Sequence, residues 1–403
     1  MERDPAPEDW GRLQRYASWM RELCLGWEDN ISNDTLSRLS DNSPDGVLFP
    51  NLERLEWNVD GPYTPLFFFR LFLSPCLKRV NLHTRSTTSG LPWQLVPLAE
   101  VISCLPTSLE HLSLMCGPWE GDLLKDIISS LVLRCGPLLR SFSSSTPLSE
   151  VAIHHLMQLP NLCSWAAFGE PPRTFPLAAF PALEELRLGP GTLPWLHLLA
   201  TRADGTPRNG RTPTVGIMKT DTKETLKLLH CPENTPVDPR LLSSISSFRN
   251  LVALYVGNDY CNTDGMCTFG LTDDDVGNLA VALPSLVSLG LGEACGLNSC
   301  HTTITSLLSI STHCLGLTLL EIHFNTRTIV DDMRRLLDEG SGRDKPRCEL
   351  GSLLVGCLPL RVRVEDVGTV AMGFADIFPC LKDFSSYYDY FESWKDVAFR
   401  LRD

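Results

Sequence analysis

The sequence predicts an α/β repeat fold in which short parallel strands alternate with helices. Three observations predict it. The phrase Leu-x-x-Leu-x-Leu recurs along nearly the whole chain, as FPNLERLEW at Phe49–Trp57, FPALEELRLG at Phe180–Gly189 and LPSLVSLGLG at Leu283–Gly292. Its copies average about 30 residues apart, slightly beyond the ~20–29 of common leucine-rich repeats. Between the copies lie segments of helical period with helix-start signals. Strand and helix in strict alternation require parallel neighbouring strands, because each strand needs a crossover to return to the same end of the sheet. The expected architecture is a curved leucine-rich-repeat solenoid, with strands on the concave face, helices on the convex face and a helical cap at each terminus. The competing reading is a non-repetitive α/β domain built on a parallel sheet.

Residues 1–48 read as a helical segment: Pro7-Glu-Asp-Trp10 resembles a helix start, and Trp10, Leu13, Tyr16, Ala17 and Met20 fall near one face. The repeats then occupy 49–386, anchored on Leu52, Leu77, Leu109, Leu139, Leu162, Leu183, Leu251, Leu286, Leu317, Leu350 and Leu381. In Leu183-Glu-Glu-Leu186-Arg-Leu188, Leu186 and Leu188 point to one side of a strand while Glu185 and Arg187 point to the other. The same holds for Leu55/Trp57, Val80/Leu82, Leu112/Leu114, Leu254/Val256, Leu289/Leu291 and Leu320/Ile322. The wide gap between Leu183 and Leu251 implies a degenerate copy, for which TPTVGIMKT (Thr212–Thr220) is the candidate strand.

Helices are expected in TPLSEVAIHHLMQL behind Ser149, and in LTDDDVGNLAVAL, where Thr272 and Asp275 approximate a capping box. GDLLKDIISSLVL, TTITSLLSISTHC and IVDDMRRLLDEG complete that set, and Asp221–Glu224 reads as the start of another helix in ETLKLLH. The Gly-, Pro-, Thr- and Arg-rich stretch at about 200–214 reads as a loop insertion, and Asn258–Gly270 as a second long loop. Residues 387–403 close the chain as an amphipathic capping helix, with Phe391, Trp394, Val397 and Leu401 inward.

Composition narrows the function. Lys and Arg total 35 against 48 Asp and Glu, a net charge of −13, which argues against broad nucleic-acid or anionic-membrane binding. MERDPAPEDWGRLQRY is polar where a signal peptide would be apolar, and no apolar run approaches the ~20 residues needed to span a bilayer. The 15 cysteines, including Cys76, Cys104, Cys135, Cys357 and Cys380, then read as small buried hydrophobes of a reducing cytoplasm or nucleus.

Chemistry-bearing patterns are few. His154 and His155 point about 100° apart on a helix and cannot both ligate one metal unaided. Cys261 and Cys267 have no second pair at metal-site distance. Asp273-Asp274-Asp275 sits at a helix start, where carboxylates already favour the macrodipole. Gly290-Leu-Gly292 lacks the third glycine and the phosphate-binding lysine of a nucleotide loop. No cofactor, metal or enzymatic signature is expected. The strand alternation leaves a candidate protein-binding face carrying Arg54, Glu56, Arg79, His83, His111, Arg187, Tyr255, Glu321 and His323, with Asn81, Phe168, Glu185 and Tyr387 alongside.

PAPEDWGRLQRYASWMREL, LFPNLERLEW and the closing FPCLKDF and YYDYFESWKDVAFRL resemble the F-box/leucine-rich-repeat-like proteins abundant in basidiomycete fungi. The resemblance rests on pattern and on the two ends. It implies a substrate receptor of a cullin ubiquitin ligase: an F-box docks a Skp-type adaptor and the repeats choose a protein target; the chain itself is expected to be a monomer. No Leu-Pro-x-Glu-Ile-like F-box precedes the opening segment here, so adaptor docking is expected only with an F-box upstream of Met1. The alternative is a standalone leucine-rich-repeat scaffold without a ubiquitin link.

Overall fold

The computed structural model describes residues 7–25, 33–42, 46–60, 66–85, 95–116, 122–169, 171–172, 179–188, 195, 228–230, 239–256, 271–291, 301–339, 348–355, 362–386 and 392–402. It is an α/β fold of parallel strands and helices, and it divides into two compact units. The first spans Met1–Leu183 with Thr214–Gly216, the second Glu184–Pro213 with Ile217–Asp403.

In the first unit the order is α1 (Pro7–Ala17), β1 (Glu22–Leu25), α2 (Asn33–Asn42), β2 (Arg54–Asp60), a 3-10 helix (Leu66–Phe72), β3 (Arg79–Arg85), α3 (Leu95–Cys104), β4 (His111–Cys116), α4 (Asp122–Arg134), β5 (Ser141–Ser144), α5 (Glu150–Gln158) and β6 (Ser164–Ala167). Each strand pairs in parallel with the next in sequence. The pairing puts Leu23, Leu55, Val80, Leu112, Phe142 and Trp165 in one row. From Leu55 to Trp165 these side chains are buried. A one-residue slip would turn that apolar row to solvent, so the hydrophobic pattern holds the register.

The leucine that opens each phrase is the second support. Leu52, Leu77, Leu109, Leu139, Leu162 and Leu183 are all buried in this unit. Burying a leucine stabilises by about 1.5–3 kcal/mol. One residue further on, the backbone forms a ladder. The carbonyl of Arg21 accepts the N–H groups of both Glu53 and Arg54, Glu53 accepts those of Lys78 and Arg79, and Lys78 those of Glu110 and His111. Glu110 then accepts from Arg140 and Ser141, and Arg140 from Cys163 and Ser164. Between β2 and β3 the connection is too short for a full helix, and the 3-10 turn fills its place with Phe69, Leu71 and Phe72. Phe72 lies edge-on to Trp57 at 4.9 Å. Phe180 takes a left-handed φ of 57°, donates its N–H to Met157 and stacks on Trp165 at 4.9 Å.

The second unit runs β7 (Glu185–Leu188), β8 (Leu228–His230), α6 (Pro239–Ile245), β9 (Ala253–Val256), α7 (Asp273–Ala282), β10 (Ser288–Leu291), α8 (Ile304–His313), β11 (Leu319–Ile322), α9 (Ile329–Asp338), β12 (Ser352–Val355), a 3-10 turn (Val364–Asp366), α10 (Val367–Ile377), β13 (Asp383–Ser386) and α11 (Glu392–Arg402). Its strands also pair in parallel and in sequence order. The inner row is Leu186, Leu229, Leu254, Leu289, Leu320, Leu353 and Phe384, all buried. The backbone ladder recurs at the carbonyls of Val252, Val287, Thr318 and Gly351.

The expected helix starts at α5 and α7 form as read. Ser149 Oγ accepts from the Ala152 N–H, and Thr272 and Asp275 exchange both bonds of a capping box. Asp273 does more than favour the helix dipole. Its carboxylate accepts the Thr303 N–H and hydroxyl, both at 2.7 Å, and the Ser306 N–H and hydroxyl at 3.2 and 2.5 Å, tying α7 to the start of α8. Asp273→Ala is expected to cost about 2 kcal/mol, since it strands the α8 donors, with Asp273→Asn losing less. Urea unfolding of the two variants checks this.

Four sequence expectations need correction. The N-terminal segment is not wholly helical: β1 pairs with β2, carrying Leu23 and Leu25 in Met20-x-x-Leu23-x-Leu25, the same phrase opened by methionine. Tyr16 is not on the buried face of α1; it is exposed and meets Trp19 edge-on at 5.8 Å. The strand between Leu183 and Leu251 is β8, within Leu226-x-x-Leu229-x-Cys231, where a helix was expected to begin. Finally, Cys76, Cys104 and Cys380 are exposed, whereas Cys135 is buried. Cys76 and Cys380 precede an anchor leucine, and that adjacent position faces outward; Cys104 ends α3. Burial pushes the Cys135 thiol up to about 11. Thr212–Thr220, the loops at 200–214 and 258–270, Cys357, Tyr387 and Phe391 lie outside the described residues. In α11, Trp394 and Val397 are buried and Leu401 is half-buried.

Candidate functional site

A strand whose alternate residues enter the core must turn the intervening ones outward. In the first unit those outward residues form rows across the strands. Glu22, Arg54, Arg79, His111, Ser141 and Ser164 stand in one row. Cys24, Glu56, Asn81, Ser113 and Ser143 stand in the next, and Asn58, His83 and Met115 in a third. Arg54 gives its guanidinium to Glu22 at 2.7 Å, and Asn58 donates to Glu56 at 3.3 Å.

Beside the first row runs the ladder edge: Arg21, Glu53, Lys78, Glu110 and Arg140, cation and anion in alternation. Lys78 meets Glu53 at 2.9 Å, which lowers the carboxyl and raises the ammonium from their ordinary values. Both groups are solvated, so the pair adds little to stability. His111 sits half-buried among these charges. Burial first, and then the guanidinium groups of Arg79, Arg140 and Arg54, hold its imidazole below the ordinary value, with Glu110 opposing them. At neutral pH the ring is therefore uncharged.

In the second unit Arg187, Tyr255, Gly290, Glu321, Leu354 and Ser385 share one outward row. Arg187 bonds Glu185, two residues earlier on its own strand, at 2.6 Å. Gly290, between Tyr255 and Glu321 in that row, has no side chain and is buried. Phe168 is half-buried just beyond β6.

His323 does not belong to this face. The strand ends at Ile322, the alternation ends with it, and His323 and Phe324 are both buried. Burial pushes the His323 imidazole down to about 4. His155, of the His154-His155 pair, donates Nε2 to the Cys135 carbonyl at 3.0 Å.

Sequence reasoning put Arg54, Arg79, His111, Arg187, Tyr255 and Glu321 on one face; the strand pairing puts the first three in one row of the first unit and the last three in one row of the second. Sequence reasoning missed Glu22, which lies on β1, one of the two strands it did not recognise. The phrases Met20-x-x-Leu23-x-Leu25 and Leu226-x-x-Leu229-x-Cys231 carried the signal. It also missed Arg140, whose place on the ladder edge follows from the backbone bonds.

Among the described residues no group of three or more His, Cys, Asp or Glu is placed to hold a metal ion, and no helix is long and apolar enough to cross a membrane. The chain matches no protein-family model. It matches no curated protein.

Proposed function

We propose that the chain is a leucine-rich-repeat solenoid that acts, without catalysis, as a protein-recognition module. The observation that supports it is the pair of outward faces: mixed charged, histidine and aromatic side chains in register, each backed by a fully apolar inner row. Such a face is held rigidly by the sheet and presents anchors of the kind that dominate protein interfaces. The resemblance of both chain ends to F-box/leucine-rich-repeat-like proteins supports a more specific role, the substrate-binding part of a cullin ubiquitin ligase receptor. On that reading the module works as a monomer in the cytoplasm or nucleus, and a Skp-type adaptor joins it through an F-box. The alternative role is a standalone repeat scaffold.

The test is affinity capture with the intact chain and with an Arg187→Glu, Tyr255→Ala, Glu321→Lys variant that retains its circular dichroism spectrum. Proteins held by the native face are expected to fall by about tenfold or more on the variant. An unchanged capture profile removes the recognition reading for that face. The same capture with the chain extended upstream of Met1 separates the two roles: retention of a Skp-type adaptor supports the ligase receptor, and its absence supports the scaffold.

A further inference from the structure

The charges on the first unit's outward face are not evenly matched. Along the ladder edge Arg21, Glu53, Lys78 and Glu110 alternate in sign, and Lys78 is taken by Glu53. In the adjacent row Arg54 is taken by Glu22. Arg21 donates to the Asn51 carbonyl, and the half-buried Glu110 carboxylate and two exposed guanidinium groups are left over. Arg79 lies directly beside His111 on the neighbouring strand, and Arg140 stands one rung further along, where the next ladder residue is the uncharged Cys163. Among the described residues neither makes an ion pair or a side-chain hydrogen bond. Both act on His111, as do Arg54 and Glu110.

An arginine fork without an anion, on an otherwise acidic chain of net charge −13, is suited to receive a carboxylate in bidentate geometry. Two such forks flanking a neutral imidazole define the ends of a short anion-receiving stripe. The rungs are about 4.8 Å apart, so the two arginine backbones stand about 10 Å apart; alternate side chains of an extended peptide repeat at about 6.8 Å, a difference that the long arginine side chains span. Beyond the stripe, the rows continue as Ser113, Ser141, Ser143 and Ser164, which are small, polar and offer no competing acid.

Resting on the recognition reading above, we propose that Arg79, His111 and Arg140 form the docking stripe for an acidic peptide segment of the partner protein, carrying glutamate or aspartate at alternate positions. The arginines take the carboxylates. His111, neutral in the unoccupied protein, gains a proton as the bound anion offsets the arginine field, so binding strengthens as pH falls from 7 to 6. The carboxylates of the peptide remain ionised across that window and do not account for such a trend.

The probe is a fluorescein-labelled peptide of alternating serine and glutamate, titrated with the full chain at low ionic strength and followed by fluorescence anisotropy. Controls replace every glutamate by glutamine, or every serine–glutamate pair by phosphoserine–glutamine. The glutamate peptide is expected to bind and the glutamine peptide not to. Arg79→Glu with Arg140→Glu should weaken binding by about tenfold or more. The gentler Arg79→Gln with Arg140→Gln should weaken it in the same direction, and circular dichroism verifies that both fold. His111→Asn should abolish the gain on going from pH 7 to pH 6 while leaving the salt dependence.

Equal binding of the glutamate and glutamine peptides overturns the stripe. So does glutamate binding indifferent to both arginine variants, and binding of the phosphoserine peptide alone overturns the carboxylate assignment. The row bearing Arg187, Tyr255 and Glu321 stays native throughout, so capture that depends on it survives a failure confined to the stripe.

Discussion

Phe374→Ala is expected to destabilise the second unit by about 3–5 kcal/mol, the range for deleting a buried phenylalanine. Phe374 is fully buried on α10 and gathers the aromatic cluster that seats the last helix, with ring centroids 5.3 Å from Phe384, 6.4 Å from Trp394 and 6.3 Å from Phe324. Trp394 and Val397 are the buried side chains of α11, so removing the ring undercuts the contact that holds that helix down. The loss should appear in urea unfolding and, more locally, in hydrogen exchange and protease cleavage across 367–402. Protection of 7–167 should change little, because Phe374 and its ring neighbours all belong to the second compact unit. Uniform loss of protection over the whole chain would mean that the cluster is not a terminal cap.

The second large effect is a loss of stability in mild acid, traced to His323. Its imidazole ordinarily titrates near 6.5, and burial pushes it down to about 4 in the folded protein. Between those values the unfolded chain binds a proton that the folded chain refuses, so unfolding stability rises with pH. The contribution is complete above about 6.5 and is lost as pH falls toward 4. It amounts to about 3 kcal/mol at ~1.4 kcal/mol per unit of displacement. Urea midpoints between pH 7 and pH 4 should fall for the native chain. For His323→Leu they should fall less steeply, whatever that variant's stability at neutral pH. Parallel pH profiles for the two would remove His323 as the source.

Both residues show where sequence pattern stops carrying information. Period-2 alternation placed Leu55, Trp57, Leu289 and Ile322 in the core without any knowledge of the fold, because strand geometry leaves no other choice. The helix starts at Ser149 and Thr272 were equally readable, since the capping chemistry is local. His323 was placed on the outward face by extending the same rule one residue past the strand end, which depends on where the chain turns and not on its composition. β1 and β8 went unrecognised because Met20 and Leu226 open phrases embedded in helix-like surroundings, where local propensity competes with tertiary pairing. The bonds from Asp273 to Thr303 and Ser306 join residues about 30 apart, and no local spacing rule reaches that far.

The backbone ladder has a consequence for how such a chain can change. At most of the described rungs the strand is aligned to the one before it at a single carbonyl, which accepts two successive N–H groups from the incoming strand. The connection from the end of one strand to the next clasp can vary in length without displacing the strands. The connection from Leu52 to Leu77 makes do with a 3-10 turn, while that from Leu109 to Leu139 holds the whole of α4. Insertions and deletions placed on the helix side should therefore be absorbed within one repeat. A single added residue between an anchor leucine and its strand should shift a whole row of side chains to the opposite face.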